Sequence, residues 1–156
     1  MTTAPVDQAT LQRLVDRLDI QDAMTAYATA ADAKDYDQLR ACFTDDARAR
    51  YGVQSEWLEG GDVIVAWLRE QFAPLDWGHH LVSVYGVDIA GDQATALMYL
   101  LSHQTVSGNP DEVLSMSAKY HNTLRRGSGR WRISELDLEI GWFEQRSNVK
   151  EKELTT

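Results

Sequence analysis

Apolar residues recur at three- and four-residue steps between about Thr10 and Ala33: Leu11, Leu14, Val15, Leu18, Ile20, Met24, Tyr27, Ala28 and Ala31. That spacing predicts one long amphipathic helix, capped by Thr10 or Asp7, with room for a bend at Asp19–Ile20. "KDYDQLRACF" (34–43) reads as a short second helix with Tyr36, Leu39, Cys42 and Phe43 on its apolar side. "TDD" (44–46) turns the chain into a strand over 47–53, and "EGGDVIVAWLREQF" (59–72) predicts a third helix, broken by "APLDWG" (73–78). Beyond Trp77 the composition becomes strand-like. Segments 79–90, 93–106, 113–126 and 130–146 are separated by the turn compositions "GD", "SGNPDE" and "RGSGR". Helices followed by strands define an α+β domain, a curved mixed or antiparallel sheet wrapped around a helix layer and enclosing a cavity. One domain over 1–147 and a flexible tail over 148–156, "NVKEKELTT", account for the chain.

"DWGHHLV" (76–82) places two histidines side by side at the start of a strand. Adjacent strand residues point to opposite faces, so only one of them faces the helices. A two-residue turn at Gly91–Asp92 pairs Ala90 with Gln93, and a regular ladder from there sets His80 opposite His103. That register gathers Val82, Val84, Leu97, Tyr99 and Leu101 with both histidines on one face. The other face takes His79, Leu81, Ser83 and Tyr85. A single bulge would flip one of the two strands. Two imidazoles on an apolar face are either satisfied sheet residues or a site. With Asp32 as third ligand they would also make a metal set, a reading set aside here in favour of metal-free chemistry.

Composition narrows the function classes. Twenty-four acidic against 15 basic residues give a net charge of −9, which disfavours nucleic acid and anionic membrane surfaces as partners. Cys42 is the single cysteine. Its "RACF" context is that of a packing residue, and no disulfide or cysteine-based zinc site can form. The N-terminus lacks a basic and apolar leader and no stretch approaches 18 apolar residues, so a cytoplasmic protein is expected.

Asp32 extends the apolar series Tyr27, Ala28, Ala31 at the end of the first helix. Such a carboxylate either faces water or needs a partner on the facing sheet.

The stretch "LDIQDAMTAYATAADAKDYDQLRACFTDDARARY" and the closing "LRRGSGRWRISELDLEIGWF" resemble the SnoaL-like family of the nuclear-transport-factor-2-like superfamily, over about residues 8–146. The resemblance implies a cone-shaped α+β barrel. In site pattern it is nearest to the family's lyases: scytalone dehydratase, bile-acid 7α-dehydratase and hexachlorocyclohexane dehydrochlorinase. It implies an Asp–His pair at Asp32 and His80, further site residues at Tyr27, Tyr51 and His103, and assembly as a trimer or dimer. Two features depart from the pattern. Ala31 stands where scytalone dehydratase has a tyrosine, and "LDLEIGWF" lacks the dehydrochlorinase arginine.

These residues suit a cofactor-independent dehydratase. His80 would take a proton next to a carbonyl, with Asp32 orienting its ring. Tyr27 and Tyr51 would donate hydrogen bonds to the developing enolate, and His103 or Tyr27 would protonate the leaving hydroxyl. Trp77, Val82, Val84, Leu97 and Leu101 would line a pocket for a hydrophobic cyclic polyketide, steroid or terpenoid. His121 is a further substrate-binding candidate; Tyr120 and Asn122 take whichever face it leaves. Isomerisation or polyketide cyclisation uses the same base. A non-catalytic ligand-binding or association module, and the small subunit of a ring-hydroxylating dioxygenase, are the other readings. Trp57, Trp67, Trp131 and Trp142 are expected as core or interface anchors. An outer sheet face carrying Tyr85, Met98 and Leu100 would need cover, hence a homo-oligomer.

Overall fold

The structure, a computed structural model, describes residues 5–52 and 56–147, with Pro110 described by its backbone alone. Helix α1 (Gln8–Ala33) is capped by Asp7, whose carboxylate accepts the Thr10 N–H at 2.8 Å. It runs unbroken through Asp19–Ile20, because Ile20 and Met24 are both fully buried on its sheet-facing side. Lys34 ends it in the left-handed region (φ 53°). Asp35 then caps the single-turn helix α2 (Tyr36–Ala41), accepting the Gln38 N–H.

Strand β1 (Phe43–Tyr51) begins earlier than expected, because Phe43 pairs with Ile133 of the last strand. Val53, the expected end of that strand, and the tail over 148–156 lie outside the described residues. A short β2 (Leu58–Glu59), not anticipated from the pattern, precedes α3 (Gly61–Phe72). Strands β3 (Leu75–Ala90), β4 (Gln93–Val106), β5 (Asn109–Gly127) and β6 (Arg130–Ser147) follow. The six strands form one sheet in the order β2-β1-β6-β5-β4-β3. The β1–β6 pair is parallel and the other pairs are antiparallel.

On β4 the alternate residues Ala94, Ala96, Met98, Leu100 and Ser102 are buried. They share the core with Ile20, Met24, Tyr27 and Ala31 of α1, which lies across the concave face. The hairpin starts in the expected register, Ala90 with Gln93 through Gly86 with Leu97, but Val84 then pairs with Met98 and leaves Tyr85 as an extra, bulged residue. Beyond the bulge His80 lies opposite Ser102, and His79 lies opposite His103. The cause is packing. Val82 and Val84 on one side of Tyr85, and Val87 and Ile89 on the other, all pack on the core. Both pairs can point inward only if one residue is skipped. Met98 and Leu100, expected outside, are therefore inside; Leu97, Tyr99 and Leu101, expected inside, face outward.

At the far end of α1, Asp16 is buried and ion-paired with Arg126, and accepts hydrogen bonds from Gln12 and the Trp131 indole.

Candidate active site

The geometry of α1 and β3 brings Asp32 and His80 together. Asp32 sits in the last turn of α1, just before the Lys34 cap, and the Lys34 ammonium donates to the Leu75 carbonyl at the start of β3. Helix end and strand are thereby tied at one point. The Asp32 carboxylate is held twice by His80: Oδ2 accepts its backbone N–H at 3.0 Å, and Oδ1 lies 2.6 Å from ring Nδ1. The His80 side chain is 8% exposed and that of Asp32 25%, so the ring is shielded while the carboxylate keeps some water. The Phe72 ring stands edge-on to the imidazole at 6.4 Å.

Burial alone would push the Asp32 carboxyl up. The hydrogen bonds from the His80 ring and backbone, with the nearby imidazoles, outweigh it and hold the group below the ordinary carboxylate value. An ionised Asp32 can only accept, so it selects the Nδ1–H tautomer of neutral His80 and leaves Nε2 with a lone pair. No described residue is hydrogen-bonded to Nε2.

Along the same concave side, Tyr27 and Tyr51 hydroxyls meet at 3.2 Å, and the Tyr120 ring packs edge-on against Tyr27 at 5.8 Å. Trp67 stacks on Tyr51 at 4.9 Å. Burial pushes all three phenols far above the ordinary tyrosine value, so they are neutral hydroxyls. Ser102, also buried, projects beside His80 from the neighbouring strand.

Of the residues singled out in the sequence, Asp32, His80, Tyr27, Tyr51, Val82 and Val84 lie on this side. Val82 and Val84 pack against the core. Five others do not join them, Leu97 among them, which faces outward between Gly86 and His121. His103 is on the outer face, stacked on His79 at 5.1 Å, and its buried Nδ1 has no partner among the described residues. Trp77 is 57% exposed beside His79. Leu101 faces outward between Leu81 and Ser117. His121 is exposed and paired with Glu139 at 2.8 Å. The Tyr85 bulge moves His103 and Leu101 out of the expected site. Trp77 shares the face of His79, and the alternation along β5 turns Tyr120 and Asn122 inward, His121 out. The conceivable metal set of Asp32, His80 and His103 is thus not assembled, and no group of three His, Cys, Asp or Glu among the described residues could hold a metal ion. Cys42 is buried, and burial pushes its thiol up to about 11, consistent with packing rather than nucleophilic chemistry. Ser102 was missed in the sequence reading, and Tyr120 was left open there. The register of β4 against β3 and β5 is the signal that places both.

Residues 12–137 match the model of the SnoaL-like domain. The chain belongs to the SnoaL-like family. A Mycobacterium tuberculosis protein described as uncharacterised is 27% identical over 122 residues, which are 76% of this chain and 80% of that protein. Among solved structures, this SnoaL-like chain is similar to a Novosphingobium aromaticivorans protein named after scytalone dehydratase (TM-score 0.80, 18% identity, 91% of this chain and 97% of that one). It is also similar to the hexachlorocyclohexane dehydrochlorinase LinA-type3 of Novosphingobium barchaimii (TM-score 0.79, 18% identity, 89% and 95%). At these identities the likeness is one of fold: the cone-shaped α+β architecture of the nuclear-transport-factor-2-like superfamily. No helix among the described residues is long and apolar enough to cross a membrane.

Proposed function

We propose that this SnoaL-like protein is a cofactor-independent lyase, a dehydratase that removes a proton next to a carbonyl and expels a β-hydroxyl from a hydrophobic cyclic substrate. The observation that carries this reading is the two-point grip of Asp32 on His80, which leaves Nε2 as the free base. Nε2 takes the carbon-bound proton and Asp32 stabilises the imidazolium that forms; positioned acid–base catalysis of this kind contributes about 10²–10⁴-fold. The neutral phenols of Tyr27, Tyr51 and Tyr120 are donors suited to the enolate oxygen. With His103 on the far face, the acid for the leaving group is the His80 imidazolium itself or Tyr27. The C–O bond breaks as the proton arrives, and water departs. The mostly apolar surroundings of Asp32 and His80 suit polyketide, steroid or terpenoid rings, and the acidic balance of the chain suits the cytoplasm and a small-molecule substrate rather than nucleic acid.

Loss of His103 from the site favours a second reading. A lone base that returns its proton to another carbon is an isomerase, and one whose enolate attacks an internal carbonyl is a cyclase. A panel of cyclic β-hydroxy ketones and β,γ-unsaturated ketones, followed by the absorbance of the conjugated enone, separates these outcomes. Turnover that drops at least 100-fold in both His80→Gln and Asp32→Asn supports the base. Turnover unchanged in the double variant overturns it, and binding without turnover in any protein identifies a ligand-binding module instead.

A further inference from the structure

The inward series of β4 is apolar from the turn to the site. Ala94, Ala96, Met98 and Leu100 are all buried, and the first polar member, Ser102, comes where the strand meets His80. Directly opposed residues of neighbouring strands have Cβ atoms about 4.5–5.5 Å apart, so the Ser102 side chain stands beside the proposed base. Its other cross-strand partner, Met116 of β5, offers only a weak thioether acceptor.

Ser102 is 1% exposed, yet its hydroxyl is hydrogen-bonded to no described residue. A buried hydroxyl without a partner destabilises a fold, and an alanine of nearly the same size would avoid that penalty. The fully enclosed side-chain atoms without a partner, among the described residues, are His103 Nδ1 and Asn122 Oδ1. Ser102 Oγ is not one of them. The sliver of surface that Ser102 keeps therefore includes its oxygen, which opens onto the concave face that carries His80. The other polar groups there are engaged. Tyr27 and Tyr51 are hydrogen-bonded to each other, and Asp32, an acceptor only, holds His80. The Ser102 hydroxyl is the free neutral donor opposite the base.

We propose that Ser102 is a further catalytic residue of this site, its hydroxyl donating a hydrogen bond to the β-oxygen of the substrate, the one that leaves. The assignment rests on the lyase reading above and narrows its acid. A serine hydroxyl holds the oxygen without giving up its own proton, so the proton comes from the His80 imidazolium. Nε2 takes the proton next to the carbonyl, the C–H electron pair becomes the C=C bond, and the C–O pair stays with the oxygen. That oxygen takes the proton back from Nε2 and departs as water, and Ser102 ends as it began. The donor also sets the substrate class, because a site built to hydrogen-bond a substrate hydroxyl discriminates against an analogue that lacks it. A β-hydroxy ketone gains from Ser102. A β-chloro ketone, whose leaving group departs without a proton, does not.

Turnover of 3-hydroxy-1-decalone and 3-chloro-1-decalone by the full chain separates leaving group from base. Both yield the same conjugated enone, read by its absorbance after the uncatalysed rate is subtracted. In Ser102→Ala, kcat/KM for the hydroxy ketone should fall about 10–100-fold, while that for the chloro ketone stays within about threefold of wild type. The midpoint of urea unfolding should be unchanged or higher, as a serine kept for structure would not allow. Should Ser102→Ala fail to fold, Ser102→Cys, close in size and only a weak donor, reads the same selective loss. Equal losses on both ketones, or wild-type turnover of both, overturn the assignment. Turnover abolished by His80→Gln but kept by Ser102→Ala overturns the assignment alone and leaves the base standing. A wild type inert toward both ketones, or turnover that survives His80→Gln, overturns the base and the assignment with it.

Discussion

Replacing Asp32 by Ala removes the acceptor of two hydrogen bonds, from the His80 backbone N–H at 3.0 Å and from its ring at 2.6 Å. Hydrogen bonds to an ionised acceptor contribute about 1.5–3 kcal/mol each where water is excluded. Asp32 keeps 25% side-chain exposure, so water takes up part of the loss, and the net expected cost is about 2–3 kcal/mol at neutral pH. For a chain of this size that lowers Tm by roughly 4–12 °C. Urea unfolding followed by circular dichroism measures it. The pH dependence has a fixed sign. The folded Asp32 carboxyl lies below its unfolded value of about 3.9, so its contribution is complete above that value and fades as pH falls through the folded one. The gap between wild type and Asp32→Ala should therefore narrow on acidification. In parallel, long-range ¹⁵N–¹H correlation of neutral His80 should show the proton on Nδ1. A variant within about 0.5 kcal/mol of wild type, the usual range for an uninvolved surface change, would refute the pairing. So would a gap that widens toward acid pH, or an Nε2–H tautomer.

Other substitutions test separate parts of the fold and site. Tyr27→Phe leaves the buried Tyr51 hydroxyl without its partner, at an expected cost of about 1 kcal/mol in urea unfolding, and in the enone assay kcat should fall more than KM changes. Asp16→Ala strands Arg126 next to the Trp131 indole. Breaking a buried pair costs about 3–5 kcal/mol. Arg126 keeps Asp92, so thermal unfolding should report the low end of that range. Gly52→Ala and Gly91→Ala both place a side chain at positive φ, 49° and 63°, but only at Gly52 does the new Cβ fall 2.3 Å from Ile140 Cδ1. Both should lose about 1–2 kcal/mol to backbone strain, and Gly52→Ala should lose measurably more by differential scanning calorimetry.

Local signals carried the elements. The helical spacing of α1, the Gly91–Asp92 turn and the limits of β4 were all legible, because each depends on residues close in sequence. The inward placement of Asp32 and His80 was also legible, through the helix series ending at Ala31 and the family pattern. The faces of β4 were not. Val82 and Val84 point inward at even positions while Val87 and Ile89 do so at odd ones. The change of parity falls on Tyr85–Gly86, and a glycine within a strand is a bulge signal that the regular ladder passed over. Asp16 escaped notice for a different reason: Arg126 is 110 residues away, and nothing near Asp16 in sequence announces it. Tyr120 and Ser102 became assignable only once the pairing of three strands was fixed.

The pairing on either side of Tyr85 is already continuous, Gly86 with Leu97 and Val84 with Met98. Tyr85 is thus a supernumerary residue, and the hairpin can lose it without changing which side chain meets which. A relative that lacks it carries its histidine one position nearer the turn, and an alignment drawn through this hairpin without a gap there matches His80 to its neighbour. Homologues of different length in this strand would then seem to have exchanged the inward histidine for its outward twin, when only the spacing has changed.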